Sequence, residues 1–535
     1  MPNPEHTPAP PTGTHSARNP VLSGVHPDPS VCRVGDDYYL VNSSFEYFPA
    51  LPLHHSRDLA HWRPIGHAVD RPEQLALDGV RASGGLYAPQ LSHHDGRFHL
   101  VCTLVDGHRR SGNFLLTAED PAGPWSDPVW IPEAPGFDPS LFFDHDGSTH
   151  LLGTRQIHED GRTAIWLRAL DPATGELSGP EHVLFHGALV GARWAEGPHL
   201  YHHDGFYHLL LAEGGTEFEH AVTVARSRTL TGPYENNPRN PVLTHRHLGA
   251  GQAVTGTGHA DLVVTPAGDW YAVLLASRPY GGGPHANLGR ETFLARVEWQ
   301  DGWPVVNPGV GRLEEHTEVA LPAHPWPEPD PVDDFDAPEL DPRWNMLRTP
   351  RTVFHSLTER PGHLRLRPLP HTLAEAATPA FVGRRQQHMD VTASTELDFA
   401  PASPGEAAGL AVLYDNDHHF TLLVAHDAAA GRVVRLTARD RGADTVRAEL
   451  PLLPGPFTLT VTAAGQDYTF SCDRIADGRD PAEPAVLGTV DGRVLNNAHV
   501  GGFTGTYFGL YATAPGPTAP VADFARFSYR PTTAP

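Results

Sequence analysis

Lysine is absent: all 39 basic residues are arginine. That excludes Schiff-base chemistry, a pyridoxal-phosphate anchor and a P-loop lysine. Cysteine is scarce, with only Cys32, Cys102 and Cys472, an odd number at wide spacing. Neither a disulfide framework nor a cysteine-based zinc site fits, and three reduced, semi-buried thiols are expected. Positive charge is in deficit, 39 basic against 63 acidic residues, a net of −24. Such a surface repels nucleic-acid phosphate and anionic lipid. Long apolar runs are missing too, with no stretch of the ~18 residues a membrane span needs. The first twenty residues lack the basic start and apolar run of a secretory signal. The expectation is a soluble cytoplasmic chain without nucleic-acid or membrane partners, leaving a small substrate and further copies of itself.

Turn formers are plentiful, with 54 Pro and 52 Gly in 535 residues. Together with 39% hydrophobic residues they predict many short strands joined by tight turns. One pattern recurs five times: DPSVCRVGDDYYL from 28, APQLSHHDGRFHL from 88, DPSLFFDHDGSTHL from 138, EGPHLYHHDGFYHL from 196 and HADLVVTPAGDWYA from 259. Each copy has an apolar strand, a turn usually bearing Asp-Gly, and a second aromatic-rich strand, the signature of a hairpin. A further strand and turn follow in SRDLAHW, AEDPAGPW and SRTLTGPY. Five such units, none able to bury its faces alone, fit radial stacking.

The fold expected is all-β: a disordered segment over 1–18, a five-bladed β-propeller over 19–320, a Pro/acidic linker over 321–336, and a β-sandwich of the jelly-roll or lectin kind over 337–535. Alternating runs such as DVTASTELDF and FTLTVTAA carry the sandwich reading.

Aligning the copies on their turns puts Asp28, Ala88, Asp138, Glu196 and His259 at one position, the head of each first strand. Beside a propeller axis, three carboxyl groups and an imidazole would converge. Crowded acids push their pKa values apart, which pairs a protonated acid with an ionised base. Glycosidic hydrolysis needs that equipment: an acid for the leaving oxygen and a carboxylate on the opposite face.

The motifs HPDPS (26–30), FDPSLF (137–142), AEGPHL (195–200), GTGHADLV (256–263) and LGRETF (288–293) resemble those of glycoside hydrolase family 43, particularly its two-domain β-xylosidase and α-L-arabinofuranosidase branch. The resemblance runs over nearly the whole chain. It implies an inverting exo-glycosidase that takes short xylan-derived oligosaccharides. Asp28 then matches the general base, Glu196 the general acid and Asp138 the carboxylate that tunes and orients the acid. Arg290 matches an arginine that binds sugar hydroxyls. Phe45 and Phe137 match aromatic subsite walls, and Thr216 a subsite-lining position. Tyr87 stands where tryptophan is more usual, which leaves the sugar preference open. His259 matches a histidine that binds a hydroxyl, a water or a hydrated metal, calcium being the ion expected; no other cofactor is implied. Tyr507, in GGFTGTYFGLYA (501–512), is the residue through which the sandwich would reach the pocket mouth. A non-catalytic carbohydrate-binding propeller and a retaining fructosidase-like enzyme are the competing readings. The histidine pairs 93/94, 202/203 and 245/247 are expected as solvated turn residues.

Overall fold

The computed structural model describes residues 13–532 apart from 192, 477, 479, 481 and 482. Five four-stranded antiparallel sheets follow one another along the chain. Blade 1 runs from Ser30–Val34 to Arg63–Val69 and blade 2 from Gly85–His94 to Val129–Trp130. Blade 3 runs from Phe137–Phe143 to Glu176–Phe185, blade 4 from Glu196–His203 to Glu235–Asn236, and blade 5 from Thr255–Val264 to Trp303–Val306. Their innermost strands pack on one another in sequence, the last against the first.

The segment before blade 1 is ordered where disorder is expected. His15–Arg18 pairs with His316–Val319, Leu22 bridges to Thr292, and the Asn19 side chain bonds the Leu294 and Glu314 carbonyls. The N-terminal residues thus fasten the end of the propeller to its beginning. Residues 1–12 lie outside the described residues.

Each innermost strand carries, just before it or within its first five residues, a residue in the left-handed backbone region: Asp28, Ala88, Asp138, Gly197 and His259, with φ between 36° and 57°. This corrects the sequence register by one residue in blade 4, where Gly197 rather than Glu196 occupies the shared position. Glu196 pairs with Ala212 just before a bulge, as Tyr87 pairs with Thr103 and Phe137 with Thr154. The reason lies in the turns. Blades 2 and 4 close their hairpins with two residues, between His94 and Arg97 and between His203 and Phe206, whereas blade 3 needs five between Phe143 and Thr149. Counting back from Asp-Gly therefore overshoots in one blade.

Two residues beyond the strained position, Ser30, Gln90, Ser140, His199 and Asp261 tie each blade to the next. Ser30 Oγ accepts from Leu91 N–H, Gln90 Oε1 accepts from Leu141 N–H, and Ser140 Oγ donates to the Pro198 carbonyl. His199 Nδ1 stands 3.6 Å from Asp261, whose carboxylate accepts from Ser30 Oγ, Val31 N–H and Tyr201 O–H. Asp261→Ala leaves three buried donors without an acceptor, an expected loss of about 3 kcal/mol or more. Thermal unfolding should show it as a lowered midpoint.

The second half is a sandwich of an eight-stranded and a six-stranded antiparallel sheet. Strict burial alternation in Val391–Asp398 and Phe457–Ala464 shows why: one face of each strand meets the facing sheet and the other meets solvent. The chain reaches it along blade 1, where Trp326 lies under the Arg63 guanidinium at 4.0 Å and donates its indole N–H to His61. Tyr47–Phe48 of the propeller pairs with Met346–Leu347, and a continuous apolar cluster joins blades 1 and 2 to the sandwich core. This junction fixes the two halves relative to each other and builds one wall of the site. Of the thiols, Cys102 and Cys472 are buried and Cys32 half-buried, all unpaired. Among the described residues no helix is long and apolar enough to cross a membrane.

Candidate active site

The strained strand heads bring Asp28, Asp138 and His259 together with Glu196. Asp28 is 6% exposed and carries two kinds of partner. Its Oδ2 accepts from Ser43 Oγ at 2.6 Å, and its Oδ1 lies 3.0 Å from Arg290 Nη1 and 3.7 Å from His259 Nδ1. Burial alone would raise this carboxyl, but Arg290, His259 and the Ser43 hydroxyl outweigh it and hold it below the usual carboxylate range. Asp138 has no cation at hydrogen-bond distance. Its Oδ2 accepts from Gly197 N–H at 3.1 Å, gripping the peptide next to Glu196. Burial, with the Asp28 charge adding, pushes Asp138 up to about 8. Burial also pushes the half-buried Glu196 well above its ordinary value, reinforced by the charges of Asp138 and Asp28. One carboxylate held low thus stands with two carboxyl groups held high.

Arg290 connects the propeller floor to the sandwich. Besides Asp28 it donates to Thr216 Oγ1 at 2.7 Å and to the Phe503 carbonyl at 3.3 Å, and its buried Nε–H has no protein acceptor. Thr216 therefore stands beside the carboxyl cluster.

The aromatic wall consists of Phe45, Tyr87 and Phe503. Phe45 meets Tyr87 edge-on at 5.5 Å and stacks with Phe503 at 6.2 Å, while Tyr87 meets Phe503 edge-on at 5.8 Å. Ser83 is the node that holds them. Its carbonyl accepts from Tyr87 O–H, its Oγ accepts from Phe503 N–H at 2.9 Å, and its own N–H donates to the buried Glu46 carboxyl. Phe137, the neighbour of Asp138, lies on another side with Trp194 at 6.4 Å.

Tyr507 is not at the mouth. It is 1% exposed, paired within its sheet to Leu413 and Arg385, and stacked on Tyr47 at 4.0 Å in the junction core. The segment identified from sequence does reach the site, but through Phe503, four residues earlier, in the loop before the strand begins. Both faces of that strand are covered, and Tyr507 lies on the face that meets the propeller. Sequence reasoning also missed Ser43 and Trp194. GGF at 501–503 offered one signal, since paired glycines at positive φ expose the aromatic that follows.

His259 packs flat against Gly197, where an added Cβ would come within 2.9 Å of the ring. Burial lowers its pKa to about 4, so the imidazole is neutral. Among the described residues one carboxylate lies within ion-pair distance of its Nδ1, that of Asp28, already engaged by Arg290 and Ser43. Calcium takes six to eight oxygens, so the protein groups here do not supply its shell, and no step is routed through a metal. Of the remaining histidines, His93, His94, His202 and His203 close strands rather than sit in turns, and His245 departs from the solvated reading. It is buried, with Nδ1 on the Val254 carbonyl and Nε2 accepting from Leu313 N–H.

A propeller floor of opposed carboxyl groups walled by aromatics defines a glycoside hydrolase. The sequence profile "Glycosyl hydrolases family 43" matches residues 17–304, and "Beta xylosidase C-terminal Concanavalin A-like domain" matches residues 332–530. The chain belongs to glycoside hydrolase family 43. It is 42% identical over 527 residues to a xylosidase/arabinosidase of Butyrivibrio fibrisolvens, covering 96% of this chain and 98% of that one. A non-reducing end alpha-L-arabinofuranosidase of Bacteroides ovatus is 42% identical over 518 residues, 96% and 94% of the two chains. The crystal structure of a xylan beta-1,4-xylosidase from Bacillus halodurans superposes with a TM-score of 0.90 at 37% identity, over 96% of this chain and all of that one.

Proposed function

We propose that this enzyme releases β-D-xylosyl and α-L-arabinofuranosyl units from the non-reducing ends of short xylan-derived oligosaccharides, with inversion. The observation that carries the mechanism is the opposed charge state of the carboxyl groups: Asp28 held ionised by Arg290, Glu196 and Asp138 held protonated by burial and mutual repulsion. The names of the full-length relatives support the sugars.

In this reading a terminal sugar enters against Phe45, Tyr87 and Phe503. Asp28 takes a proton from the water that attacks the anomeric carbon, and Glu196 delivers its proton to the departing glycosidic oxygen. Asp138 positions Glu196 through the Gly197 peptide, while burial and the Asp28 charge keep the acid's pKa high. The Arg290 guanidinium stands beside Asp28 at the site, where Thr216 holds it in place. The sandwich loop at Phe503 limits depth at one end, which favours removal of terminal units.

Proton NMR during hydrolysis of p-nitrophenyl β-D-xylopyranoside tests this. α-Xylose is expected to appear first and to mutarotate afterwards. β-Xylose appearing first would overturn the base role of Asp28 in favour of a nucleophilic carboxylate, and turnover of neither this substrate nor the α-L-arabinofuranoside would overturn the sugar assignment.

A further inference from the structure

Far from the carboxyl cluster in sequence, three sandwich residues converge. His418 precedes the strand His419–Asp427, Asp440 ends the strand Gly431–Asp440, and His499 lies in the short helix Asn497–Val500. One ligand atom from each falls within 4.8 Å of the other two. The tautomer of His418 is set by its surroundings. Its Nδ1 lies 2.9 Å from Asp415 Oδ1, and an ionised carboxylate only accepts, so Nδ1 carries the proton. In the neutral ring Nε2 is then the lone-pair nitrogen. The His418 side chain is 8% exposed, and its Nε2 has no hydrogen-bond partner. What it faces is another acceptor, Asp440 Oδ1 at 3.7 Å, which in turn lies 3.0 Å from His499 Nε2.

A buried lone pair aimed at a carboxylate oxygen is costly unless positive charge lies between them. Zinc bonds to imidazole nitrogen and carboxylate oxygen at about 2.0–2.2 Å, which puts neighbouring ligands in a tetrahedron roughly 3.3 Å apart; two of the three separations, 3.7 Å and 3.0 Å, bracket that edge, and the third lies within 4.8 Å. The outer partner is present as well. Asp415 fixes the ring of His418 as a carboxylate behind a metal-bound histidine does.

We propose that His418 Nε2, Asp440 and His499 Nε2 form a divalent cation site of the zinc type, with Asp415 orienting His418 and water completing the tetrahedron. On binding, the proton on His499 Nε2 moves to its Nδ1, freeing the lone pair. The cation would brace the segment leading to Phe503, since Gly501, two residues after His499, already accepts from Tyr414 O–H. A second grouping, His15, Asp58 and His61, is a weaker candidate: the Asp58 carboxylate is filled by the Ala60, His61 and His324 N–H groups and by His61 Nδ1, as a loop cap is.

Titrating the full-length protein with Co²⁺ and recording the visible spectrum tests the proposal. The expected result is a tetrahedral d–d band saturating at one equivalent and displaced by Zn²⁺. It should vanish in His499→Ala and in Asp440→Asn, both partly exposed positions, and Asp415→Asn should weaken binding about 10–100-fold. In parallel, Zn²⁺ should raise the thermal midpoint of the parent protein and leave that of the two ligand variants unmoved. A band absent from the parent protein, or equally strong in all variants, would overturn the site. Turnover is not the readout, so failure here leaves the glycosidase reading standing.

Discussion

Glu196→Gln is expected to slow xylobiose hydrolysis by about 10²–10⁴-fold, the usual worth of a positioned general acid. The loss should depend on the leaving group. A p-nitrophenolate departs without a proton, so the variant should retain far more of its rate on p-nitrophenyl xyloside than on xylobiose. Asp28→Asn should lose both, because water must be activated whatever leaves. The pH dependence follows from the same carboxyl groups. A base held below its ordinary value is ionised throughout the neutral range, so kcat/KM should be flat there. It should fall on the alkaline side, as the raised carboxyl groups Asp138 and Glu196 lose their protons. Glu196→Gln should abolish that alkaline limb on the activated substrate. Equal losses on both substrates would remove Glu196 from the acid role.

Most of this site is legible in the sequence because a propeller converts repetition into proximity. Strand heads separated by about sixty residues are neighbours around an axis, so Asp28 and Asp138 can be paired from their motifs alone, and His259 with them. The one-residue error at Glu196 has a physical origin: hairpin loop length varies between blades, and the register is carried by the strained residue and the bulge that follows it, not by the Asp-Gly turn. Contacts across the domain junction were not legible to the same degree. Phe503 and Tyr507 lie in one segment, and which of them reaches the pocket depends on where the loop ends and the sheet begins. Ser83, which positions both Tyr87 and Phe503, carries no motif at all. The same holds for His418, Asp440 and His499, whose spacing of 22 and 59 residues resembles no ligand pattern, because three separate parts of one sheet and its flanking helix bring them together.

Removing Arg290 should have the other large effect, and it separates electrostatics from shape. Arg290→Met keeps much of the side-chain volume but leaves Asp28 buried without its cation. Breaking a buried pair by deleting one partner costs about 3–5 kcal/mol, part of which Asp28 escapes by taking up a proton. Burial, now opposed by His259, Ser43 and His220 without the guanidinium, therefore drives its pKa upward, and the base is neutral over a wider range. The acid limb of kcat/KM should move up towards neutrality, so activity recovers as pH rises until the alkaline limb intervenes. KM should rise as well, since the variant lacks the guanidinium N–H groups offered to the sugar and no longer grips Thr216 and the Phe503 carbonyl. Arg290→Lys restores charge without the fork. It should return the acid limb most of the way while leaving KM high. If both variants kept the parental acid limb, Arg290 would not be what holds Asp28 ionised, and the base would have to be sought elsewhere in the cluster.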